Sequence, residues 1–335
     1  MMIIFVKKRP FPVRTMIEER LSKRLLPRHP LQQTLAFEIS KGKAGYKGEK
    51  NVDYYLDFLP GDKFRIIPDL RLQRKKYFYQ IDSLLICQYF LLPLEIKNVR
   101  GILRFDRNLD QLIQVYKGEK KRITNPIHQA KRHRTQLRQW LTLHQFPLIP
   151  IEYFFVNSND ETIIEIPDDL TEVIKKICNS EVLLEKIYKL EREYVEPKLT
   201  NKELNKLTKQ LLKEDTPLEF NVKKYYSYNE LDLIKGVFCP ACSTTIMDWK
   251  NRAWECPDCH LRSHTAHIDA LLDHYYLISP FITNLQCREF LRLESSDTVR
   301  HHLITLGLEK QGSNRNRTYN LASLINQYNK FGLHR

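Results

Sequence analysis

The sequence predicts a mixed α/β domain, followed by a helical segment and two small C-terminal modules. Three observations support this organisation. Between residues 41 and 165, runs of β-branched and aromatic residues alternate with segments of helical periodicity. From 166 to 235 the chain is rich in lysine, with leucines at helical spacing and little glycine. After residue 235 come two Cys-x-x-Cys pairs and a pattern of helix, turn, helix and hairpin.

These changes in pattern divide the chain into five segments. We expect a basic, proline-interrupted arm over 1–40, the α/β domain over 41–165 and a helical connector over 166–235. A cysteine module over 236–264 and a C-terminal unit over 265–335 complete the chain. The connector is expected to present solvated charged faces.

The elements of the α/β domain follow from β-branched runs and from helix start signals. Asn125 and Pro126 mark one helix start. The predicted elements are a helix near Tyr46–Leu59, strands near Phe64–Pro68, Gln80–Cys87 and Phe90–Asn98, a helix over Asn125–Leu143 and a strand over Ile151–Asn157.

The chain is strongly basic. Its 335 residues carry 54 Lys and Arg against 40 Asp and Glu, a formal charge of +14, which favours an anionic partner such as nucleic acid over a merely soluble basic protein. The opening MMIIFVKKRPFPVR has too short an apolar run for a secretory signal or a membrane span. We therefore expect a cytoplasmic protein, in which paired cysteines bind metal rather than form disulfides.

Two carboxylates and a lysine fall on neighbouring predicted strands. Asp82 lies on the first strand and Glu95 on the second, so a hairpin would bring them together across the ladder. Mg²⁺ prefers oxygen ligands, and these carboxylates with the carbonyl of Ile96 would suit it. Lys97, on the same face as Glu95, would orient or activate the attacking water. The competing interpretation is that these acids simply pair with lysines on a half-solvated sheet.

The surrounding motifs resemble a known family. GYKGEKNVDYYL, the ID of residues 81–82, LEIKN and NPIHQAKRHRTQL occur in an order similar to that of NERD, the nuclease-related domain of the PD-(D/E)xK superfamily. The resemblance implies a restriction-endonuclease-like mixed sheet flanked by helices. It also implies an active centre of Glu49, Asp82, Glu95 and Lys97, with Gln129 as a polar accessory. The CQYF turn lacks an expected glycine, and Pro93 stands inside a predicted strand, where it removes a ladder donor.

Basic side chains cluster on and before the helix that starts at Pro126. Lys120, Lys121 and Arg122 precede it. On the helix itself, phosphate contacts are expected from Lys131, Arg132, Arg134 and Arg138.

The cysteine module has the spacing of a structural zinc site. Cys239, Cys242, Cys256 and Cys259 form a C-x₂-C, thirteen residues and a second C-x₂-C, which supplies four thiolates to Zn²⁺. Aromatic strands between the pairs indicate a zinc ribbon. The three nearby histidines are expected at the surface or facing DNA rather than as ligands: His260, His264 and His267.

The C-terminal unit resembles a winged helix-turn-helix. Thr283 or Asn284 would cap a first helix, Ser295 or Ser296 a recognition helix over 297–306, and 312–317 would form the wing. Thr298, Arg300 and His301 would reach base edges, while Arg315 and Arg317 meet phosphates or the minor groove. A protein-interaction module is the alternative.

Together these features predict a DNA endonuclease that depends on Mg²⁺ or Mn²⁺ and carries a structural Zn²⁺. The zinc ribbon and winged helix would engage DNA or regulate cleavage, and a homodimer or an activating partner protein is compatible with this. Defence against foreign DNA and plasmid biology are both compatible roles. The alternative is a non-catalytic DNA-binding or scaffold protein that uses a nuclease fold as an adaptor.

Overall fold

A computed structural model describes residues 4–107, 110–313 and 316–325. By their contacts these residues form two compact units. The first contains the residues up to Pro12 together with Lys41–Leu218, and the second contains Val13–Ser40 and the residues from Glu219 onward. Among the helices of the described residues, none is long and apolar enough to cross a membrane.

The helices and strands are numbered in chain order. The helices are α1 (Val13–Arg24), α2 (Leu31–Leu56), α3 (Pro126–Leu143), α4 (Thr171–Lys176), α5 (Leu183–Glu193), α6 (Asn201–Glu214), α7 (Val222–Tyr226), α8 (Ala266–Leu277), α9 (Asn284–Leu291) and α10 (Ser296–Thr305). The strands of the first unit are β1 (Arg65–Arg74), β2 (Tyr77–Ile86), β3 (Leu91–Lys97), β4 (Ile102–Asp106), β5 (Gln111–Tyr116), β6 (Glu119–Ile123), β7 (Phe154–Asn157), β8 (Ile163–Glu165) and β9 (Ile177–Asn179). Those of the second unit are β10 (Val237–Phe238), β11 (Ile246–Lys250), β12 (Ala253–Glu255), β13 (Arg262–Ser263), β14 (Phe281–Thr283), β15 (Glu309–Gln311) and β16 (Thr318–Asn320).

The first unit is built on a mixed sheet in the order β1-β2-β3-β7-β9. The first three strands are antiparallel, whereas β3, β7 and β9 run parallel. Apolar side chains of α2 and α5 pack in one core cluster, and those of α3 and α6 pack in another. The predicted mixed sheet flanked by helices is therefore confirmed.

Pro93 fits this sheet because β3 changes partners along its length. On its β2 side Pro93 is paired with Leu84. On its β7 side, Leu91 forms an isolated bridge with Ile151 and the regular ladder begins only at Leu94. Pro93 therefore lies in a gap of this ladder. A residue without an N–H is tolerated where no ladder bond is needed.

The sequence did not predict a second sheet, in the order β6-β5-β4-β8. Its β5–β6 hairpin turns at Lys117 and Gly118, both with positive φ (51° and 82°), which is the backbone of a two-residue hairpin turn. The basic residues 120–122 lie on the exposed strand β6 rather than in a loop before α3.

Helix α2 begins at Leu31, well before the predicted start at Tyr46. The prediction began late because Gly42 and Gly45 interrupt the pattern with residues that disfavour helix interiors. Strand β1 likewise continues past Pro68. It is the first strand in the sheet order, a position that tolerates proline.

Much of the predicted connector belongs to the first unit. Strand β9 extends its sheet, Leu183 and Ile187 of α5 are fully buried, and so are Leu207 and Leu211 of α6. The leucine spacing that suggested a solvated connector marks the buried faces of amphipathic helices. The predicted arm is also divided, since the residues before Val13 pack in the first unit and α1 packs in the second.

The second unit contains two small antiparallel sheets, β10-β11-β12-β13 and β14-β16-β15. Helices α9 and α10 start at the predicted residues: Thr283 caps α9 with a capping box, and Ser295 caps α10. Gly307, with φ of 62°, follows the end of α10. The order α9, α10, β15, β16 agrees with the predicted helix, turn, helix and hairpin, and the winged helix-turn-helix stays a prediction.

Gly48 controls how closely α2 approaches the end of β3. A Cβ at this position would lie 2.6 Å from Cβ of Asn98 and even closer to Oγ of Ser158. By contrast, a Cβ at Gly45 on the same helix would meet nothing within 4 Å. The small size of Gly48 therefore brings the neighbouring Glu49 close to the ends of β3 and β7.

We predict opposite effects for two glycine replacements in α2. Gly48→Ala should lower the free energy of unfolding by about 1–3 kcal/mol, because the added methyl group forces the helix away from the sheet. Gly45→Ala should leave it unchanged or raise it by up to about 1 kcal/mol, because alanine is the better helix former. Urea denaturation of the two variants would measure this difference, and equal stabilities would contradict the close approach.

Candidate functional site

Asp82 and Glu95 lie together where β2 and β3 separate. The last pair of their ladder is Ser83 with Leu94, so the two acids follow immediately beyond it. The β1–β2 pairing also omits Asp82, since Pro68 pairs with Ser83 and Leu70 with Ile81. Freed from both ladders, Asp82 accepts a hydrogen bond through Oδ2 from the backbone N–H of Ile96, at 2.7 Å. The acids thus meet just past the hairpin ladder rather than across it.

Glu95 is enclosed between a lysine and a histidine. Its side chain has no exposed surface, and the Lys97 ammonium forms a close ion pair with Oε1. On its other side, Nδ1 of His133 on α3 lies 3.5 Å from Oε2. Sequence reasoning gave His133 no part in the candidate site. Gln129, the predicted accessory, is half-buried one turn earlier on that helix, and its role stays a prediction.

Glu49 reaches the site from α2 and is held by an arginine outside the predicted domain. Nη1 of Arg9 donates to Oε2 of Glu49 and to the carbonyl oxygen of Asp82, each at 2.8 Å. The same guanidinium forms a bidentate pair with Asp53, one turn after Glu49 on α2. Sequence reasoning missed Arg9, whose only signal was its position in a basic N-terminal segment.

Burial and mutual repulsion make these carboxyl groups reluctant to ionise. Burial and the nearby charge of Asp82 raise the pKa of Glu49 to about 7 and that of Glu95 to about 8. Burial also raises the pKa of Asp82. For Lys97 burial acts to lower the pKa, but Glu95 and Asp82 outweigh it, so the pKa rises and the group stays cationic.

The group fits a divalent cation. Apart from the Lys97 ion pair, both carboxylate oxygens of Glu95 lack a hydrogen-bond partner among the described residues, although both are buried. Buried carboxylates that lack donors are costly unless a cation compensates them. Mg²⁺ takes oxygen ligands and keeps several waters, so Asp82 and Glu95 suit it as a pair of carboxylate ligands.

Asparagine side chains connect the strand ends around this group. Nδ2 of Asn159 donates to Oδ1 of Asn98 at 2.8 Å, and Nδ2 of Asn98 donates to the carbonyl of Ala44 on α2 at 2.7 Å. Nδ2 of Asn51, also on α2, donates to the carbonyl of Ser158 at 3.1 Å. These bonds connect α2 to the loops that follow β3 and β7, and so hold Glu49 relative to Lys97.

The predicted phosphate-binding residues of α3 differ in how far they are available to a ligand. Lys131, Arg132 and Arg134 are exposed. The charge of Arg132 is close enough to act on the pKa of Glu95. Arg138 differs from the prediction, because its Nη1 donates to the carbonyl oxygen of Ile149 at 2.6 Å and is thereby engaged within the fold.

In the second unit, the predicted base-reading positions lie on the outside of α10. Arg300 and His301 are exposed and Thr298 is half-buried, while Val299 and Leu303 fill the core. Arg317 is half-buried, and Arg315 lies outside the described residues.

His267 corrects the prediction that all three histidines near the cysteines are at the surface. It is 4% exposed, and its Nδ1 accepts a hydrogen bond from Nε1 of Trp254 at 3.2 Å. Its position early in the amphipathic helix α8 places it in the core. His260 and His264 are exposed, as predicted.

The four predicted cysteines converge on one point, with their sulfur atoms all within 4.8 Å of one another. Cys239 and Cys259 sulfurs are 3.6 Å apart, and those of Cys242 and Cys256 are 3.8 Å apart. Tetrahedral zinc with Zn–S bonds of about 2.3 Å places its sulfurs about 3.8 Å apart. The arrangement fits a closed, structural zinc site.

The two cysteine turns share one backbone geometry. The residue after each second cysteine is left-handed: Ser243 has φ of 68° and His260 has φ of 57°. Their N–H groups donate to the carbonyls of Cys239 and Cys256, at 2.8 and 3.0 Å. Because the turns repeat each other, each presents two sulfurs in the same way. His260 thus has a backbone role that its proximity to the cysteines did not reveal.

We predict that the purified protein contains one zinc ion per chain and that Cys242→Ser or Cys256→Ser loses it. Loss of a ligand should also expose the remaining thiols, because the metal organises this small module. Elemental analysis and alkylation with and without a chelator would measure both effects. Cys287→Ala, a buried cysteine outside the cluster, is the control and should keep its zinc. Thiols that stay protected after chelation, with no zinc released, would contradict the site.

We also predict that the metal-free protein loses stability as the pH rises from about 5 to 8. Over this range the carboxyl groups of the unfolded chain are deprotonated. In the native state Glu49 and Glu95, with pKa values of about 7 and about 8, keep their protons up to those pH values. The native state then binds more protons, so the free energy of unfolding falls by about 1.4 kcal/mol per pH unit for each retained proton.

Thermal denaturation across this pH range, with and without Mg²⁺, would measure the effect. Glu95→Gln should flatten the pH dependence and remove the stabilisation by Mg²⁺ at pH 8. Glu172→Gln, at an exposed carboxylate of the same unit, should change neither. A wild-type stability that rises with pH would show that these acids are not buried as described.

Comparison with known proteins agrees with this geometry. No curated protein and no solved structure matches the chain. The family model of the nuclease-related domain, NERD, matches residues 44–158, which contain the mixed-sheet strands β1, β2, β3 and β7 and the candidate acids. This match confirms the resemblance found in the sequence. Over about a third of its length, the chain therefore carries a nuclease-related domain.

Proposed function

We propose that the protein is a Mg²⁺-dependent DNA endonuclease that hydrolyses phosphodiester bonds. The observation that carries this proposal is Glu95, a fully buried carboxylate beside Asp82 that has no hydrogen-bond donor among the described residues other than its ion-pair partner Lys97. The nuclease-related domain match supports a nuclease-like enzyme. The metal and the DNA substrate belong to the proposal.

In this mechanism Asp82 and Glu95 would hold the metal, with the carbonyl of Ile96 as the predicted third protein ligand. The metal would supply an activated water and neutralise charge that develops on the phosphate. Asp82 is already oriented by the N–H of Ile96, so its second oxygen can turn toward a cation. Glu49, which remains 23% exposed, would accept hydrogen bonds from water around the metal.

Lys97 acts as a cation in this mechanism. Its raised pKa keeps the ammonium protonated, so it orients the attacking water and stabilises negative charge rather than removing a proton. His133 is neutral near pH 7, since burial together with Arg132 and Lys97 lowers its pKa to about 4. The neutral ring adds no charge to the site and limits the space around Glu95.

DNA binding would use two surfaces, one in each unit. Lys131, Arg132 and Arg134 on α3 can neutralise phosphates beside the acids. In the second unit, Arg300 and His301 on the exposed side of α10 would enter the major groove. The cysteine site has no open coordination position and is given a structural role.

The decisive test is metal-dependent cleavage by matched variants. Asp82→Asn, Glu95→Gln and Lys97→Ala should each reduce Mg²⁺-dependent cleavage by about 100-fold or more, because each removes a metal ligand or a transition-state charge. Labelled duplex, single-stranded and branched DNA, and RNA, would be incubated with a titration of Mg²⁺ or Mn²⁺. DNA affinity without metal should change little.

Lys63→Ala is the control, since it removes a lysine that pairs with Glu191 at the surface of the same unit. It should cleave like the wild type. Full activity in the three site variants would exclude this mechanism. Tight DNA binding by the wild type without products on any substrate or metal would instead support the non-catalytic scaffold.

A further inference from the structure

We propose that Arg9 is a positioning residue for the metal site, and that the N-terminal strap, residues 4–12, is part of the nuclease domain. This inference rests on the proposed function. The family model starts at residue 44, so the strap lies outside the part of the chain that the family describes. Arg9 acts by fixing Glu49 of α2 relative to Asp82 of β2.

The strap is attached to the first unit along its length. Its backbone pairs with β1, where the N–H of Ile66 donates to the carbonyl of Ile4 at 2.8 Å and the N–H of Val6 donates to the carbonyl of Ile66 at 3.0 Å. Ile4 is buried in the core beneath α2. Further along, the rings of Phe11 and Tyr46 meet edge to face, 5.2 Å apart.

Every N–H of the Arg9 guanidinium has an acceptor. Nε and Nη2 bind the two carboxylate oxygens of Asp53 at 2.8 Å, and Nη2 also donates to Oγ of Ser83 at 2.6 Å. Nη1 joins Glu49 and the carbonyl of Asp82. The side chain of Arg9 is only 1% exposed. One rigid, planar group therefore connects two residues of α2 to two residues of β2.

The two acids of α2 have different roles in this arrangement. Asp53 is buried and bound by both arms of the guanidinium, so it anchors Arg9. Glu49 receives a single bond from Arg9 and remains partly exposed at the site. Arg9 thus orients Glu49 while leaving it accessible to the water around a metal.

The charge of Arg9 also favours a closely spaced set of acids. Asp82 raises the pKa of Glu49, while Arg9 acts in the opposite direction. Because Arg9 is held beneath the acids by five hydrogen bonds, it offsets their repulsion without taking the place of the cation. Lysine would keep the charge but has no planar fork with which to join Glu49, Asp53 and Asp82.

A double-mutant cycle between Arg9 and Glu49 tests the inference. Arg9→Lys, Glu49→Gln and the double variant would be compared for the Mg²⁺ concentration at half-maximal cleavage and for Mn²⁺ binding by calorimetry. Each single variant should weaken metal affinity about 10-fold or more. If Arg9 acts through Glu49, the double variant should be within about twofold of Glu49→Gln. DNA affinity without metal should stay at the wild-type value.

Lys7→Ala provides the matched control on the strap. Lys7 donates to the carbonyl of Asp69 and pairs with Asp215, so its loss weakens strap docking without removing a bond to Glu49. Its metal dependence should equal that of the wild type. If Arg9→Lys does not fold, Arg9→Gln with Asp53→Asn replaces the buried ion pair with neutral partners and serves in the same cycle.

Three outcomes would overturn the positioning role of Arg9. Fully multiplicative effects of Arg9→Lys and Glu49→Gln would show that the two act independently. Equal losses in Lys7→Ala and Arg9→Lys would show that only strap docking matters. A metal dependence of Arg9→Lys like that of the wild type would show that the orientation of Glu49 does not depend on Arg9. In each case an active wild type leaves the proposed function standing, whereas a wild type that neither cleaves nor binds Mn²⁺ refutes both.

Discussion

The first unit must accommodate several carboxylates close together in a largely buried place. Glu95 is fully enclosed, Asp82 is next to it, and Glu49 approaches from α2. Carboxylates this close repel one another, so the surrounding structure supplies positive charge from several directions. Lys97 lies two residues after Glu95 on the same strand, and Arg9 lies on the N-terminal strap. The remaining imbalance is what a divalent cation would correct.

The sheet makes this arrangement possible by opening at one point. Strand β3 is antiparallel to β2 and parallel to β7, and the acids lie where it leaves the first partner. At the same place β1 and β2 skip a pair, so Asp82 is free of ladder bonds. Gly48 then lets α2 approach the strand ends closely enough for Glu49 to take part. The position of the site thus results from the strand pairing and from the presence of glycine at position 48.

The sequence was sufficient for the parts of the site that depend on local pattern. Asp82, Glu95 and Lys97 were predicted because strand alternation and short spacing place them together. The cysteines were predicted because two Cys-x-x-Cys pairs at this spacing are typical of a zinc site. The order of the flanking motifs led to the mixed sheet, which the structure confirms.

The parts that were missed depend on contacts between distant residues. Arg9 meets Asp82 and Ser83 over a separation of more than 70 residues, and no periodicity marks it. His133 was visible as a helix residue, but only the packing of α3 shows that it faces Glu95. The leucines of α5 and α6 gave the correct helices, yet amphipathic spacing alone does not say which surface covers the apolar side.

The change of partner along β3 also affects how such a domain can diversify. The carboxyl ends of β3, β7 and β9 point the same way, and binding crevices of parallel sheets form at such ends. The loops that leave β3 and β7 start next to each other, because Lys97 pairs with Asn157, and they are connected by the hydrogen bond between Asn98 and Asn159. The outer parts of these loops can vary in length and composition while the acids keep their positions on the strands. In the proposed nuclease, substrate preference and chemistry would therefore be separable, and the first could change without loss of the second.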